Sequence, residues 1–292
     1  MDNRTIIALA VFAILASGCT GTGTNTNIPG SNGNTDGNQI DPVKLQKGLE
    51  ITQFKSSDSR LVPNQRAVVD LVLKNYHVKP IDIEQIELYN LGMLDIKQDR
   101  QCTPREIDTA KKGYIPEMEC KWVIQAPDKS DMSGFSSKRI PIKLRLKYSS
   151  QLTNYKQALQ LDYRPLKGTT KTDTVRRTYS NGEVSLSLKT ENPVPFVSGS
   201  TGGGRRIDFK VDNAGPGSIA SDGYNFTYTP TDVFKHDQGN CPDHRSPVIG
   251  ENIDFSCMIM PDVEDSVTRN HLVSVSYKYV KAPTLDIEVV NR

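Results

Sequence analysis

The stretch Arg139–Tyr148, RIPIKLRLKY, decides the fold. Ile140, Ile142, Leu144, Leu146 and Tyr148 alternate with Pro141, Lys143, Arg145 and Lys147. Successive side chains of a strand point to opposite faces, so this period of two gives one buried face and one wet face. Working outward, Leu159, Leu161 and Tyr163 alternate with Gln160, Asp162 and Arg164. Val69, Leu71 and Leu73 do the same in RAVVDLVLKN. No comparably long stretch holds a helical period; Thr103–Lys112 allows one short turn inside a loop. The predicted fold class is all-β.

The strand pattern occurs twice. The first copy runs GLEITQF, RAVVDLVLKN, IEQIELYN, Cys102, MECKWVIQAPD, RIPIKLRLKY, ALQLDY. The second runs GEVSLSL, RRIDFKVDN, YNFTYTP, Cys241, IDFSCMIMPD, HLVSVSYKY, TLDIEVV. Asn75 aligns with Asn213, Cys102 with Cys241 and Cys120 with Cys257. About seven short strands per copy predict two tandem immunoglobulin-like β-sandwiches. Their expected bounds are 48–168 and 182–292, joined by a linker over 169–181 whose length permits hinge motion unless part of it adds an edge strand. The cysteine spacing differs from that of antibody domains. Cys102 with Cys120, and Cys241 with Cys257, read as disulfides that each close a long loop onto the strand after it.

The first residues read as an address. Arg4 precedes an unbroken apolar run, Ile6–Ala16, of eleven residues. A spanning helix needs about twenty, so the run has the proportions of a signal peptide, expected over 1–18. It ends Ala16-Ser17-Gly18-Cys19, which resembles the lipobox of prokaryotic lipoproteins. Ala16 stands where leucine is more usual. The resemblance implies cleavage before Cys19 and lipid on its sulfur; the alternative is ordinary signal cleavage that leaves a free thiol. Lipidation also accounts for an odd total of five cysteines. Residues 19–47 are then a lipid-anchored tether. The Thr/Asn/Gly-rich part after Cys19 cannot bury apolar surface, and roughly twenty such residues reach about 25 Å.

Lipobox, tether, and strands of the type G-L-E-I-T followed by V-V-D-L-V-L-K-N together resemble archaeal surface lipoproteins with immunoglobulin-like or CARDB-like sandwiches. The resemblance implies an adhesion or structural module outside the cell membrane. It carries no site motif, so it assigns no functional residue.

Charge is segregated. The whole chain of 292 residues holds 36 basic and 34 acidic side chains, which argues against a nucleic-acid binder. Residues 48–168 hold 20 basic and 15 acidic residues, whereas residues 182–292 hold 10 and 15. Such a dipolar chain suits head-to-tail self-association, or a basic module close to anionic headgroups. The Lys143, Arg145, Lys147 ladder also reads as a defence against edge pairing.

Motifs for catalysis are missing: the chain contains no G-x-S-x-G, H-E-x-x-H, P-loop or C-x-x-C. Gly202-Gly203-Gly204 precedes a strand and reads as a connecting turn. His236, Cys241 and His244 offer a zinc set, against which stands the expected disulfide of Cys241. Asp262, Glu264 and Asp265 cluster on a turn of the kind that holds calcium, with Asp128 and Asp131 in the matching turn of the first copy. Trp122, Tyr277 and Tyr279 read as packing residues. Asn225-Phe226-Thr227 is a glycosylation sequon inside an expected strand. No cofactor is expected. The reading is a non-enzymatic, lipid-anchored cell-surface protein for envelope assembly or adhesion, with a membrane and an envelope protein or glycan as partners. The alternatives are an extracytoplasmic solute- or metal-binding lipoprotein and, further off, an extracytoplasmic hydrolase.

Overall fold

The computed structural model describes residues 48–79, 81–111, 113–163, 173–192, 194–196, 205–229, 247–248, 252–259 and 267–291. The expected signal segment, Cys19 and the tether lie outside these residues. Among the described residues the chain is all-β, with one short 3-10 turn at Ser130–Met132.

Strands β1 (Leu49–Ser56), β3 (Arg66–Asn75), β6 (Glu117–Gln125) and β5 (Asp95–Thr103) form an antiparallel sheet in the order β1-β3-β6-β5. The alternation of RAVVDLVLKN buries Ala67, Val69, Leu71 and Leu73 on one face of β3. A second sheet runs β14 (Ile253–Ile259), β11 (Arg205–Asn213), β9 (Val184–Asn192) and β8 (Asp173–Ser180). Strands β9, β11 and β14 repeat the order of β1, β3 and β6. Asn75 and Asn213 end equivalent strands, and their side-chain amides donate to the Asp108 and Gly217 carbonyls, each at 2.7 Å.

The third sheet has eight strands. Its spine is β7 (Ser137–Tyr163), flanked by β15 (Val267–Lys281), β16 (Thr284–Val290) and β4 (Asp82–Tyr89). The sheet continues through β12 (Ser218–Thr229) to β13 (Pro247–Val248), with β2 (Arg60–Leu61) beyond β16 and β10 (Val194–Phe196) beside the end of β7. RIPIKLRLKY and ALQLDY, read as two strands, are parts of this one strand. The residues between them contain neither Gly nor Pro, so nothing turns the chain.

β7 pairs with β16 from Ser137↔Val290 to Lys143↔Thr284, then with β15 from Leu146↔Lys281 to Leu161↔Val267. The Leu144 amide donates to the Pro283 carbonyl at 3.0 Å and spans the joint. The result is a two-stranded ribbon of roughly 80 Å if straight. In repeat terms, ALQLDY of the first copy pairs with the second copy's β15, and TLDIEVV of the second pairs with SKRIPIK, Ser137–Lys143, of the first. The two copies have exchanged their closing strands.

Two local expectations are decided by this pairing. Residues 173–180 of the expected linker are β8, which pairs along its whole length with β9. The Lys143, Arg145, Lys147 ladder guards no edge, because β7 has partners on both sides. Its cations face acids on β4 instead: Arg145 meets Glu87 at 3.1 Å and Lys147 meets Glu84 at 3.3 Å.

The inward residues of all three sheets form one hydrophobic cluster. Ile142, Leu144, Leu146 and Tyr148 are fully buried in it, as the period of two requires. Phe209 and Phe255, on the second four-stranded sheet, meet Phe226 of β12 with ring centroids 5.1 and 4.8 Å apart. Trp122, Tyr277 and Tyr279 are buried core residues.

Candidate functional site

Where the two copies meet, a glutamate is sealed inside the molecule. The turn Asn181–Gly182 leads into β9, and Asn181 Oδ1 accepts the Glu183 and Val184 amides at 3.2 and 3.0 Å. That local cap fixes the backbone and sends the Glu183 side chain inward, where it is 0% exposed. Its Oε1 accepts the Leu49 amide at 2.8 Å and the Tyr148 hydroxyl at 2.5 Å. Its Oε2 accepts the Tyr277 hydroxyl at 3.0 Å and lies 3.3 Å from His77 Nε2. Lys281 Nζ lies 3.8 Å from Oε1 and donates to the Leu49 carbonyl. These partners come from β1, β7, β15 and the segment after β3. The carboxylate therefore ties both copies to the shared ribbon.

An isolated buried charge is costly, and only pairing with full hydrogen bonding offsets the cost. Burial pushes the Glu183 carboxyl up, but His77, Lys281 and the Tyr148 hydroxyl together hold it below the usual carboxylate value. Burial and the neighbouring Glu183 charge push the Tyr148 and Tyr277 phenols well up, so both remain donors. Tyr279 is pushed up to about 12, chiefly by burial. Burial lowers Lys281, and Glu183 and Glu50 pull the other way.

Ser150, His77 and Glu183 form a set that resembles a hydrolytic triad in residue type alone. A relay needs the hydroxyl on one ring nitrogen and the acid on the other. Here Ser150 Oγ, at 3.2 Å, and Glu183 Oε2 both meet Nε2. Ser150, His77 and Glu183 are all buried. The arrangement is a structural tie.

Surface clefts among the described residues include the following two. One, of about 870 Å³, is lined by β1 residues such as Glu50 and Phe54, by Pro216–Ser218 and by the bend from Val280 to Thr284. The other, of about 570 Å³, opens between the β4 residues Ile83 and Ile86 and the β5 residues Arg100 and Thr103.

A disulfide joins Cys102 and Cys120. They lie directly opposite each other on adjacent strands β5 and β6, so the bond crosses a ladder; the spacing alone suggested a loop fastened to a strand. Cys257 is also disulfide-bonded. Cys241, His236, His244, Asp262, Glu264 and Asp265 lie outside the described residues, as do Cys19 and Gly202–Gly204. No group of three or more potential metal ligands occurs among the described residues. Asn225 is on β12 with an exposed side chain. Glu183 escaped the sequence reading because a glutamate after Asn-Gly looks like a solvated turn residue. The available signal was the second glycine, Gly48, at the matching start of β1. Gly48 has φ +64°, and a Cβ there would lie 2.2 Å from Glu183 Oε1.

No protein-family model matches the chain, and no curated protein does. Among solved structures, the chain is similar to the Enterococcus faecalis MSCRAMM ACE, which binds its ligands by the collagen hug model. Identity is 8%, covering 82% of this chain and 95% of that one, with a TM-score of 0.20. It is also similar to the collagen adhesin CNA of S. aureus, at 10% identity over 85% of this chain and 94% of that one, with a TM-score of 0.15. At these scores the architecture rests on the strand pairing itself.

Proposed function

We propose that the chain is a non-enzymatic, lipid-anchored cell-surface recognition module, held off the membrane by the 19–47 tether. The observation that carries this reading is the order of parts. An eleven-residue apolar run, a lipobox-like Ala-Ser-Gly-Cys and a Thr/Asn/Gly stretch precede a β-body. The sealed Glu183 tie supports it, since the acid–base groups of that cluster hold structure together. The test is detergent phase partitioning with mass spectrometry of the N-terminal peptide. The wild type partitions with detergent and begins at a lipid-modified Cys19, and Cys19→Ser moves to the aqueous phase. A wild-type protein in the aqueous phase with an unmodified Cys19 overturns the reading.

A second reading, capture of a solute, is favoured by the cleft of about 870 Å³ between β1 and the Val280–Thr284 bend. Native mass spectrometry of the purified protein distinguishes them: capture requires a small molecule that leaves only on unfolding.

A further inference from the structure

The pocket between β4 and β5 has no part in the tie around Glu183. Among the described residues both strands are edges: β5 pairs only with β6, and β4 only with β7. The pocket therefore opens where the two sheets of the first copy part. Ile83, Ile86 and Met118 give it an apolar floor, and Arg100, Thr103 and Arg105 give it polar walls. Met118 is buried, whereas Arg100, Thr103 and Arg105 are exposed. Arg100 is positioned: its Nη1 donates to the Ile86 carbonyl at 2.9 Å, across the gap between the strands. The disulfide Cys102–Cys120 holds the same rim of β5 to β6.

We infer that this pocket binds a carboxylate-bearing sugar, the chemistry of a uronic acid residue in an acidic glycan. Two guanidinium groups line one pocket, and neither has an acidic partner among the described residues. The facing acid Glu119 is engaged by Lys121 at 3.0 Å; Asp99 and Glu106 flank the arginines in sequence. A planar guanidinium matches a carboxylate through two parallel N–H donors, which lysine does not offer. Ile83, half-buried at the base, offers apolar surface to the C–H face of a pyranose ring, with Thr103 as a hydroxyl partner. A pocket of about 570 Å³ is within the usual range for small-ligand sites. The basic excess of residues 48–168 adds a long-range attraction for a polyanion.

The inference rests on the recognition reading and names its ligand class. The test is isothermal titration of the protein with trigalacturonate, the neutral galactotriose and inorganic sulfate at physiological ionic strength. Trigalacturonate binds, and the other two bind at least about tenfold more weakly. Arg105→Gln weakens trigalacturonate about tenfold, the loss expected for one charge-assisted hydrogen bond. Arg177→Gln, on the exposed β8, changes it less than about twofold. Arg100→Gln also weakens binding; should its loss of the Ile86 contact unfold the protein, Arg105→Gln alone decides. Equal binding of galactotriose or sulfate, equal losses in Arg105→Gln and Arg177→Gln, or no trigalacturonate binding overturns the inference. Phase partitioning of Cys19 is read separately, so the pocket and the anchor fail independently.

Discussion

Replacing Glu183 by Gln removes a buried charge and leaves His77, Lys281, Tyr148 and Tyr277 around the site. Breaking a buried pair from one side costs about 3–5 kcal/mol, so Glu183→Gln lowers stability to denaturant by that amount. Wild type carries a pH signature as well. The folded Glu183 carboxyl lies below its usual 4.5, so its contribution is full above that value and is lost as pH falls through the folded value. The melting temperature of the wild type therefore drops in this acid window, and that of Glu183→Gln drops less. Gly48→Ala tests the same contact by crowding it. A Cβ 2.2 Å from Glu183 Oε1, at positive φ, costs about 1–3 kcal/mol in denaturant titration. At this scale the sequence disclosed the core and hid the tie. Ile142 and Leu146 announce themselves by period, whereas a buried Glu and His look like any surface pair until the fold brings them within 3.3 Å.

At the scale of elements, legibility followed burial. β3 and the first part of β7 have one dry face, and their alternation is plain. β5 (DIKQDRQCT) and β8 (DTVRRTYS) are edge strands with mostly exposed side chains, so they carry no alternation to read. The exchange of closing strands was also hidden, because ALQLDY and TLDIEVV fit either copy equally well by pattern. It makes β16 a decisive element. Ending the chain after Pro283 removes Ile287, Val289 and Val290, three buried side chains with a gross burial gain of roughly 5–9 kcal/mol. Hydrogen exchange is expected to show lost protection in β7 residues 137–143, with recovery when the peptide Thr284–Arg292 is added in trans. Unchanged protection after truncation contradicts the exchange. Reducing Cys102–Cys120, which closes a separation of 18 residues, lowers stability by about 3 kcal/mol as read by denaturant midpoint.

At the scale of the molecule, the repeat was legible and its connectivity was not. Two copies in sequence suggest two tandem sandwiches, with a hinge between them unless the linker adds a strand. The strand pairing runs through both copies, and residues Asn38–Arg292 form one compact unit. A ribbon that both copies share, and a carboxylate bound from β1, β7 and β15 together, leave neither copy complete alone. Such a body suits the proposed recognition role, in which a surface must keep its shape. The central claim is this mutual completion, and scanning calorimetry of residues 38–292 tests it most directly. The account predicts one transition whose calorimetric and van't Hoff enthalpies agree. Two resolved transitions, each with the enthalpy of half the chain, would contradict it.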